Sequence, residues 1–263
     1  MNPKAAITAR LSPVFGEREA ASLARIVHED VPPNEWPSVV ERLLLGEPLQ
    51  YIIGKADFYG LSVFVDENVL IPRPETEELV DWVLHDFWGK PLRLLDIGTG
   101  SGCIALALAK QRPTWEIWGV DLSAGALAIA QKNAAQLNVE PRFLQCDILD
   151  ERQWAILPDA FDLICSNPPY IPLSEWVLMP SQVLDHEPHL ALFVEDADPL
   201  QFYRAIGRFA ASKLAPQGRL YVEINEHYGA ATRRLFEDVG FGEVELRQDM
   251  SQKDRMLMAV KNA

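Results

Sequence analysis

Apolar positions in this chain follow two periods, and the change from one to the other divides it. In residues 16–30, GEREAASLARIVHED, Ala21, Leu23, Ala24, Ile26 and Val27 fall largely on one helical face. Residues 36–46, WPSVVERLLLG, repeat that spacing with Val39, Val40, Leu43 and Leu44 and stop at Gly46, as helices often do. Residues 1–54 therefore read as a small helical domain. In ADFYGLSVFVDENVLI the period shortens, with Phe58, Val63 and Val65 alternating around Gly60, which predicts a β-hairpin linker over 55–72. PRPETEELVDWVLHDF then opens a helix. Pro74 suits a first turn, and Glu75, Glu77 and Glu78 lie near the positive end of its dipole.

From residue 92 strand-like runs alternate with amphipathic helical ones. LRLLDIG, WEIWGVD, PRFLQCD, FDLICSN, GRLYVEI and RMLMAVK are separated by GCIALALAKQ, SAGALAIAQKNAAQL, PLQFYRAIGRFAASKL and GAATRRLFEDVG. This rhythm predicts an α/β domain over 73–263, a doubly wound, mostly parallel sheet with helices on both faces. Ligands of such sheets bind beyond the carboxyl ends of the strands. Internal repeats and low-complexity stretches are absent from the sequence.

Composition narrows the class. The 263 residues, 48% hydrophobic and 24% charged, suit a soluble globular protein with a substantial core. A net charge of -14, from 38 acidic and 24 basic residues, repels bulk DNA at long range. Cys103, Cys146 and Cys165 lie singly in apolar segments with no C-x-x-C pair, and read as small buried hydrophobes in a reducing compartment. The N-terminal residues lack a signal-peptide core, and CIALALA is far shorter than the ~18 apolar residues a membrane span needs. The expectation is a cytoplasmic protein with no membrane partner.

Chemistry gathers at the strand ends. LLDIGTGSGCIALALA runs from a strand through Gly98, Thr99, Gly100, Ser101 and Gly102 into a helix, and glycines there permit a tight turn and close approach of a ligand. The spacing is G-x-G-x-G, without the third glycine of a dinucleotide site. Asp121, about 20 residues on at the end of the next strand, is placed to accept from both ribose hydroxyls and argues against a 2′-phosphate. Asp147 ends PRFLQCD, where it can accept from an adenine amine while Ile148 lies against the ring. A nucleoside held without a phosphate cradle suggests S-adenosylmethionine (AdoMet). The acidic run at 75–78 and that at 195–198 read as solvated faces. His186 and His189 in DHEPH do not form a metal-ligand pattern, because Pro188 breaks the helical face and no third ligand accompanies them; no metal is expected.

SNPPYI, at 166–171, is the most unusual stretch: two prolines fix their own backbone, hold Asn167 near the extended region and stiffen the turn. LLDIGTGSGCIALALA with VDLSAGALAIAQKNA resembles the cofactor region of class I methyltransferases. Together with GEPLQYIIG, DFYGLSVFVDENVLIPRPETEELV and NPPYI, and with EP at 187–188, EI at 223–224 and DR at 254–255, it resembles the PrmC/HemK family, which methylates a glutamine nitrogen of peptide chain release factors. The resemblance spans nearly the whole chain and implies a seven-stranded Rossmann-like methyltransferase sheet. It also implies AdoMet as cofactor and S-adenosylhomocysteine as product. The chain departs from the family where LFVEDADPL replaces a glycine-rich run, where Asn225 follows EI in place of glycine, and where SQKDR lacks the glycine usual before KDR.

The resemblance assigns the transferred methyl to N5 of the glutamine in the Gly-Gly-Gln motif of release factors. An amide nitrogen is a poor nucleophile because its lone pair is delocalised. Asn167 offers a side-chain oxygen and Pro168 a backbone carbonyl to its two N–H groups, Pro169 adds rigidity, and Tyr170 gives the carboxamide a flat face. Positioning then supplies ~7–11 kcal/mol of the barrier. The nitrogen acidifies as it gains charge, so no strong base is required. Asn167 thus belongs to both the catalytic and the cofactor set. The helical domain would recognise the release factor, with the enzyme acting as a monomer, and the family places PRPETE, with Arg73 and Glu75, near the active site. The alternative is an adenine-N6 nucleic-acid methyltransferase, against which stand the acidic balance and the lack of a basic stripe with interleaved aromatics.

Overall fold

The computed structural model describes residues 3–87 and 89–263; residues 1, 2 and 88, within the first and third predicted segments, lie outside the described residues. Helix α1 (Pro3–Asp30) is broken at Gly16, whose φ of +75° interrupts the helical backbone. The helix begins well before the 16–30 segment read from the sequence, and Pro13 lies inside it. With α2 (Trp36–Leu44) and α3 (Leu49–Ile53) it encloses its own apolar cluster, which includes Leu11, Ala24, Val27, Val40, Leu43 and Leu49. Gly54 closes α3 in the left-handed conformation.

Strands β1 (Ala56–Phe58) and β2 (Leu61–Val63) form the antiparallel hairpin, turning through Tyr59 and Gly60, both at positive φ. Only half of the 55–72 segment is hairpin. Residues 64–73 form an irregular strap with a turn at 67–68, whose Val65, Val69 and Ile71 pack with Ala126 and Ile129.

The rest follows in chain order: α4 (Pro74–Asp86), β3 (Arg93–Ile97), α5 (Cys103–Gln111), β4 (Glu116–Asp121), α6 (Ala124–Leu137), β5 (Arg142–Gln145), β6 (Phe161–Ser166), β7 (Ile171–Pro172), α7 (Ser181–His186), β8 (Phe193–Val194), α8 (Gln201–Lys213), β9 (Leu214–Glu223), α9 (Gly229–Val239), β10 (Phe241–Gln248) and β11 (Asp254–Lys261). β7 and β8 make a separate two-stranded parallel pair. The main sheet has seven strands in the order β10-β11-β9-β6-β3-β4-β5, and only β11 runs antiparallel to its neighbours.

Nearly continuous apolar strands feed two cores because successive side chains leave opposite faces. Leu95, Ile97, Ile164, Leu220, Val222 and Leu257 enter the core that contains Phe209 and Phe236, while Leu94, Leu163, Cys165, Tyr221 and Met256 enter the one that contains Val83 and Leu108. The chain starts at β3, builds outward to β5, and returns to β6 on the other side of β3. The direction of winding therefore reverses between β3 and β6, where a crevice opens beyond the strand ends.

Candidate active site

The glycine loop, Asp121, Asp147 and the start of SNPPYI all lie at that crevice. Ile97 pairs with Ser166 at the last register of β3 and β6, and Ser166 Oγ donates to the Ile97 carbonyl at 2.8 Å. The glycine loop and SNPPYI leave the sheet side by side as a result. Gly98, Gly100 and Gly102 all have positive φ, a backbone other residues adopt only with strain. At Gly102 a Cβ would also lie 3.0 Å from Leu106 and 3.2 Å from Ala130.

A cavity of about 230 Å³ opens over this loop. Gly98, Thr99, Gly100, Ser101, Asp121, Asp147, Ile148, Asn167, Pro168 and Pro169 all line it; Gly102 is buried behind it and Tyr170 faces elsewhere. Asp121 Oδ2 accepts the Gly100 N–H and its Oδ1 the Ser123 N–H, each at 2.9 Å, which pins the loop to the end of β4. Burial raises the Asp121 carboxyl above its ordinary range, against the lowering effect of those N–H groups. Asp147 Oδ1 accepts the Leu149 N–H at 2.9 Å, and Ile148 is 7% exposed. Cys103 is half-buried, whereas Cys146 and Cys165 are buried; Cys103 and Cys146 both line the cavity.

Two further groups hold the walls. Asn133 on α6, fully buried, donates Nδ2 to the carbonyls of Ser101 at 2.9 Å and Phe64 at 3.0 Å, and its Oδ1 accepts the Phe64 N–H at 2.7 Å. One amide thus ties the glycine loop to the strap. The strap contributes Asn68, Val69, Leu70, Pro72 and Arg73 to the cavity, and Tyr51 of α3 donates to its Val69 carbonyl at 2.6 Å.

A second cavity of about 270 Å³ adjoins the first and shares Leu70, Arg73, Asn167, Pro168 and Ala191 with it. Its remaining wall includes Glu75, Tyr170, Met179, Glu223 and Arg255. Here a buried polar relay runs from the proline turn. Asn167 Nδ2 donates to Thr76 Oγ1 at 3.0 Å, Thr76 Oγ1 to Glu223 Oε2 at 2.6 Å, and Tyr170 OH to Glu223 Oε1 at 3.0 Å. Glu223 is 1% exposed, and burial raises its carboxyl while Thr76, Tyr170 and Arg255 oppose the shift. Arg255 Nε in turn donates to the buried Asp249 at 3.0 Å.

The run at 75–78 corrects the expectation of a solvated face. Thr76 is buried, Glu75 lines the second cavity, Glu77 accepts the Tyr59 N–H at 3.0 Å, and Glu78 accepts the Met250 N–H at 3.2 Å. Residues 195–197 are exposed as expected. In DHEPH the informative residue is Glu187, which takes the Ile71 N–H and Arg73, while His189 packs its ring on Trp176 and Phe193. Among the described residues no group of three or more His, Cys, Asp or Glu side chains could hold a metal, and no helix is long and apolar enough to cross a membrane.

Sequence comparison decides the family. A methyltransferase-domain family matches residues 89–260. The chain is 45% identical over 227 residues to the release factor glutamine methyltransferase of Flavobacterium psychrophilum, covering 85% of this chain and 79% of that one. It belongs to the release factor glutamine methyltransferase family. The like-named protein of Bacteroides thetaiotaomicron is 44% identical over 226 residues, 86% of this chain and 80% of its own. Members of this family are AdoMet-dependent methyltransferases. The fold is shared with a methyltransferase from Pyrococcus furiosus, at a TM-score of 0.59 and 16% identity over 85% of this chain and 98% of that one. Human methyltransferase 10 domain containing protein gives 0.55 and 17%, over 78% and 91%.

Proposed function

We propose that this enzyme transfers a methyl group from AdoMet to N5 of the glutamine in the Gly-Gly-Gln motif of peptide chain release factors. The observation that carries this reading is the junction of two cavities at Asn167 and Pro168: one suits a nucleoside, the other a planar side chain, and Leu70, Arg73 and Ala191 complete the rim they share.

The first cavity fits AdoMet. Its glycine loop approaches without side chains, the Asp121 carboxylate keeps lone pairs for ribose hydroxyls beyond those it gives Gly100 and Ser123, and Asp147 with Ile148 would take the adenine. When bound, AdoMet supplies a methyl carbon on a positively charged sulfur, which keeps the electron pair of the broken bond. The protein's part is positioning. Asn167 Oδ1 and the Pro168 carbonyl accept the two N–H groups of the glutamine, Tyr170 lies against its carboxamide plane, and the acidified nitrogen releases one proton to water. No strong base is required.

The helices before residue 54 would recognise the release factor, and the enzyme would work as a monomer in the cytoplasm, without DNA, membrane or metal. The adenine-N6 alternative is not favoured, since the named relatives are glutamine methyltransferases. The deciding experiment incubates the enzyme with methyl-labelled AdoMet and either a release factor or DNA, and locates the label by mass spectrometry. Label on the Gly-Gly-Gln glutamine is expected, and label on adenine would reverse the assignment. Asn167→Ala should abolish transfer while AdoMet affinity stays within about three-fold, because the mutation removes an acceptor from the reacting amide and leaves the glycine loop intact.

A further inference from the structure

An asparagine amide can present either its oxygen or its NH₂ to a ligand, and only the oxygen can accept from a glutamine N–H. The turn itself does not choose between the two faces. Its prolines fix the backbone at 168 and 169, while the side-chain amide of Asn167 remains free to rotate by half a turn.

The choice is made two residues away in the relay. Glu223, 1% exposed at the end of β9, is acceptor-only when ionised, and it receives two hydroxyls, Thr76 on Oε2 at 2.6 Å and Tyr170 on Oε1 at 3.0 Å. Thr76 has one hydroxyl proton. Once that proton is committed to Glu223, Thr76 Oγ1 can only accept across its 3.0 Å contact with Asn167. Turned over, the amide would set Oδ1 against a hydroxyl oxygen that has no proton to offer, in a buried site where an unmade hydrogen bond is costly. Asn167 Nδ2 is therefore held inward. Oδ1 is left for the ligand, and no hydrogen bond reaches it among the described residues.

We propose that Thr76 and Glu223 are positioning residues, which fix the amide of Asn167 with its oxygen toward the glutamine nitrogen. The inference rests on the function proposed above and adds to it the groups that give the proline turn its polarity. Through Tyr170, the same carboxylate orders the aromatic face of the second cavity, so one buried acid sets both partners of the carboxamide. Arg255 faces Glu223 from β11 and favours its carboxylate form against the effect of burial, and Glu75 is the other acid of that wall.

The test compares wild type, Thr76→Val, Thr76→Ser and Glu223→Gln with a purified release factor as methyl acceptor, measuring kcat, KM, AdoMet affinity by calorimetry, and melting temperature. Valine keeps the shape and loses the hydroxyl. Its kcat should fall about 10- to 100-fold with AdoMet affinity within about two-fold, while serine should recover kcat to within about three-fold of wild type. In Glu223→Gln the new amide can donate to Thr76, which frees the Thr76 proton for Asn167 Oδ1 and turns the amide over. A loss of kcat like that of valine is expected with no matching loss of AdoMet affinity. A valine variant as active as wild type, or a serine variant as impaired as valine, would overturn the proposal. If the valine variant does not fold, the glutamine variant decides, and full kcat there overturns it equally. Absence of glutamine methylation by the wild type would instead count against the proposed function.

Discussion

Glu187 joins its own segment to the strap, both of which line the first cavity: its Oε1 receives Arg73 Nη2 at 2.6 Å, and its Oε2 receives the backbone N–H of Ile71 at 3.2 Å. The side chain of Glu187 is 2% exposed and that of Arg73 33%. Removing the acid therefore strands a buried N–H and leaves a half-buried guanidinium without its partner. Glu187→Ala should destabilise the protein by about 1–3 kcal/mol, a fall of several degrees in melting temperature for a chain of this size. AdoMet affinity should fall with it, because Leu70, Arg73 and Pro188 all line the cavity. Glu187→Gln retains an acceptor for Ile71 and should lose less. Thermal unfolding and calorimetric titration check both, and an alanine variant with unchanged melting and binding would show that the cavity does not need this clasp.

Asn225, where the family usually has glycine, is used as a brace. Its Nδ2 donates to the Tyr170 carbonyl at 3.2 Å, its Oδ1 accepts the His227 N–H at 2.9 Å, and its own N–H donates to Tyr203 OH at 3.2 Å. Asn225→Gly keeps the last of these and loses the other two, while adding backbone freedom to the unfolded chain. A cost of about 1–3 kcal/mol follows. Since Tyr170 lines the second cavity and not the first, KM for the release factor should rise several-fold with AdoMet affinity unchanged. Steady-state kinetics set beside calorimetry separate the two, and equal loss of both would mean that the brace holds the whole crevice.

The parts of the site legible in the sequence are those that a parallel sheet gathers automatically. Gly98, Asp121, Asp147 and Asn167 each end or closely follow a strand, and the register of β3, β4, β5 and β6 brings those ends to one edge without further information. What stayed hidden depends on partners far apart in the chain: Thr76 and Glu223 are 147 residues apart, and Arg73 and Glu187 114. A signal for Thr76 was present. It stands three, four and seven residues before Leu79, Val80 and Val83, on the buried stripe of α4, but the acids on either side made the run look solvated. Glu223 likewise interrupts an apolar strand, where a carboxylate needs an explanation. β10 differs from its neighbours for the opposite reason: it is one of the two edge strands, and its Val244 and Leu246 alternate with Glu243, Glu245 and Arg247, so it lacks the continuous apolar run that marks the inner strands.

Asp121 holds the glycine loop through the Gly100 N–H, and under the function proposed above it also offers acceptors to a ribose. Asp121→Asn preserves length and one acceptor, so the loop should keep part of its anchor while charge-assisted bonding to the ligand is lost. Asp121→Ala loses both. AdoMet affinity is expected to fall about 10- to 100-fold in the alanine variant and less in the asparagine one, from the 1.5–3 kcal/mol usual for hydrogen bonds to a charged group. With AdoMet saturating, kcat should stay near wild type, because Asp121 does not face the second cavity. Unchanged affinity in the alanine variant would undo the ribose assignment.

Asp96, at the end of β3 beneath the loop, has no exposure and makes one side-chain bond, accepting from Thr99 Oγ1 on Oδ2 at 2.6 Å; its Oδ1 has no partner among the described residues. Burial pushes its carboxyl up to about 7, with the Thr99 hydroxyl pulling in the other direction. Between the ordinary carboxylate value of about 4 and that raised one, the folded protein keeps a proton that the unfolded chain has released. The stabilising contribution is complete at the acid end of this window and is lost as pH rises through about 7. Asp121 and Glu223, also raised by burial, act in the same direction, but they are present in both proteins of a wild-type and Asp96→Asn pair. Asparagine cannot ionise and still accepts from Thr99, so the fall in melting temperature from about pH 5 to pH 8 should be smaller in the variant. Parallel melting curves across that range would mean that Asp96 ionises in the folded protein as easily as in the open chain, and that the space beneath the glycine loop is better hydrated than its burial implies.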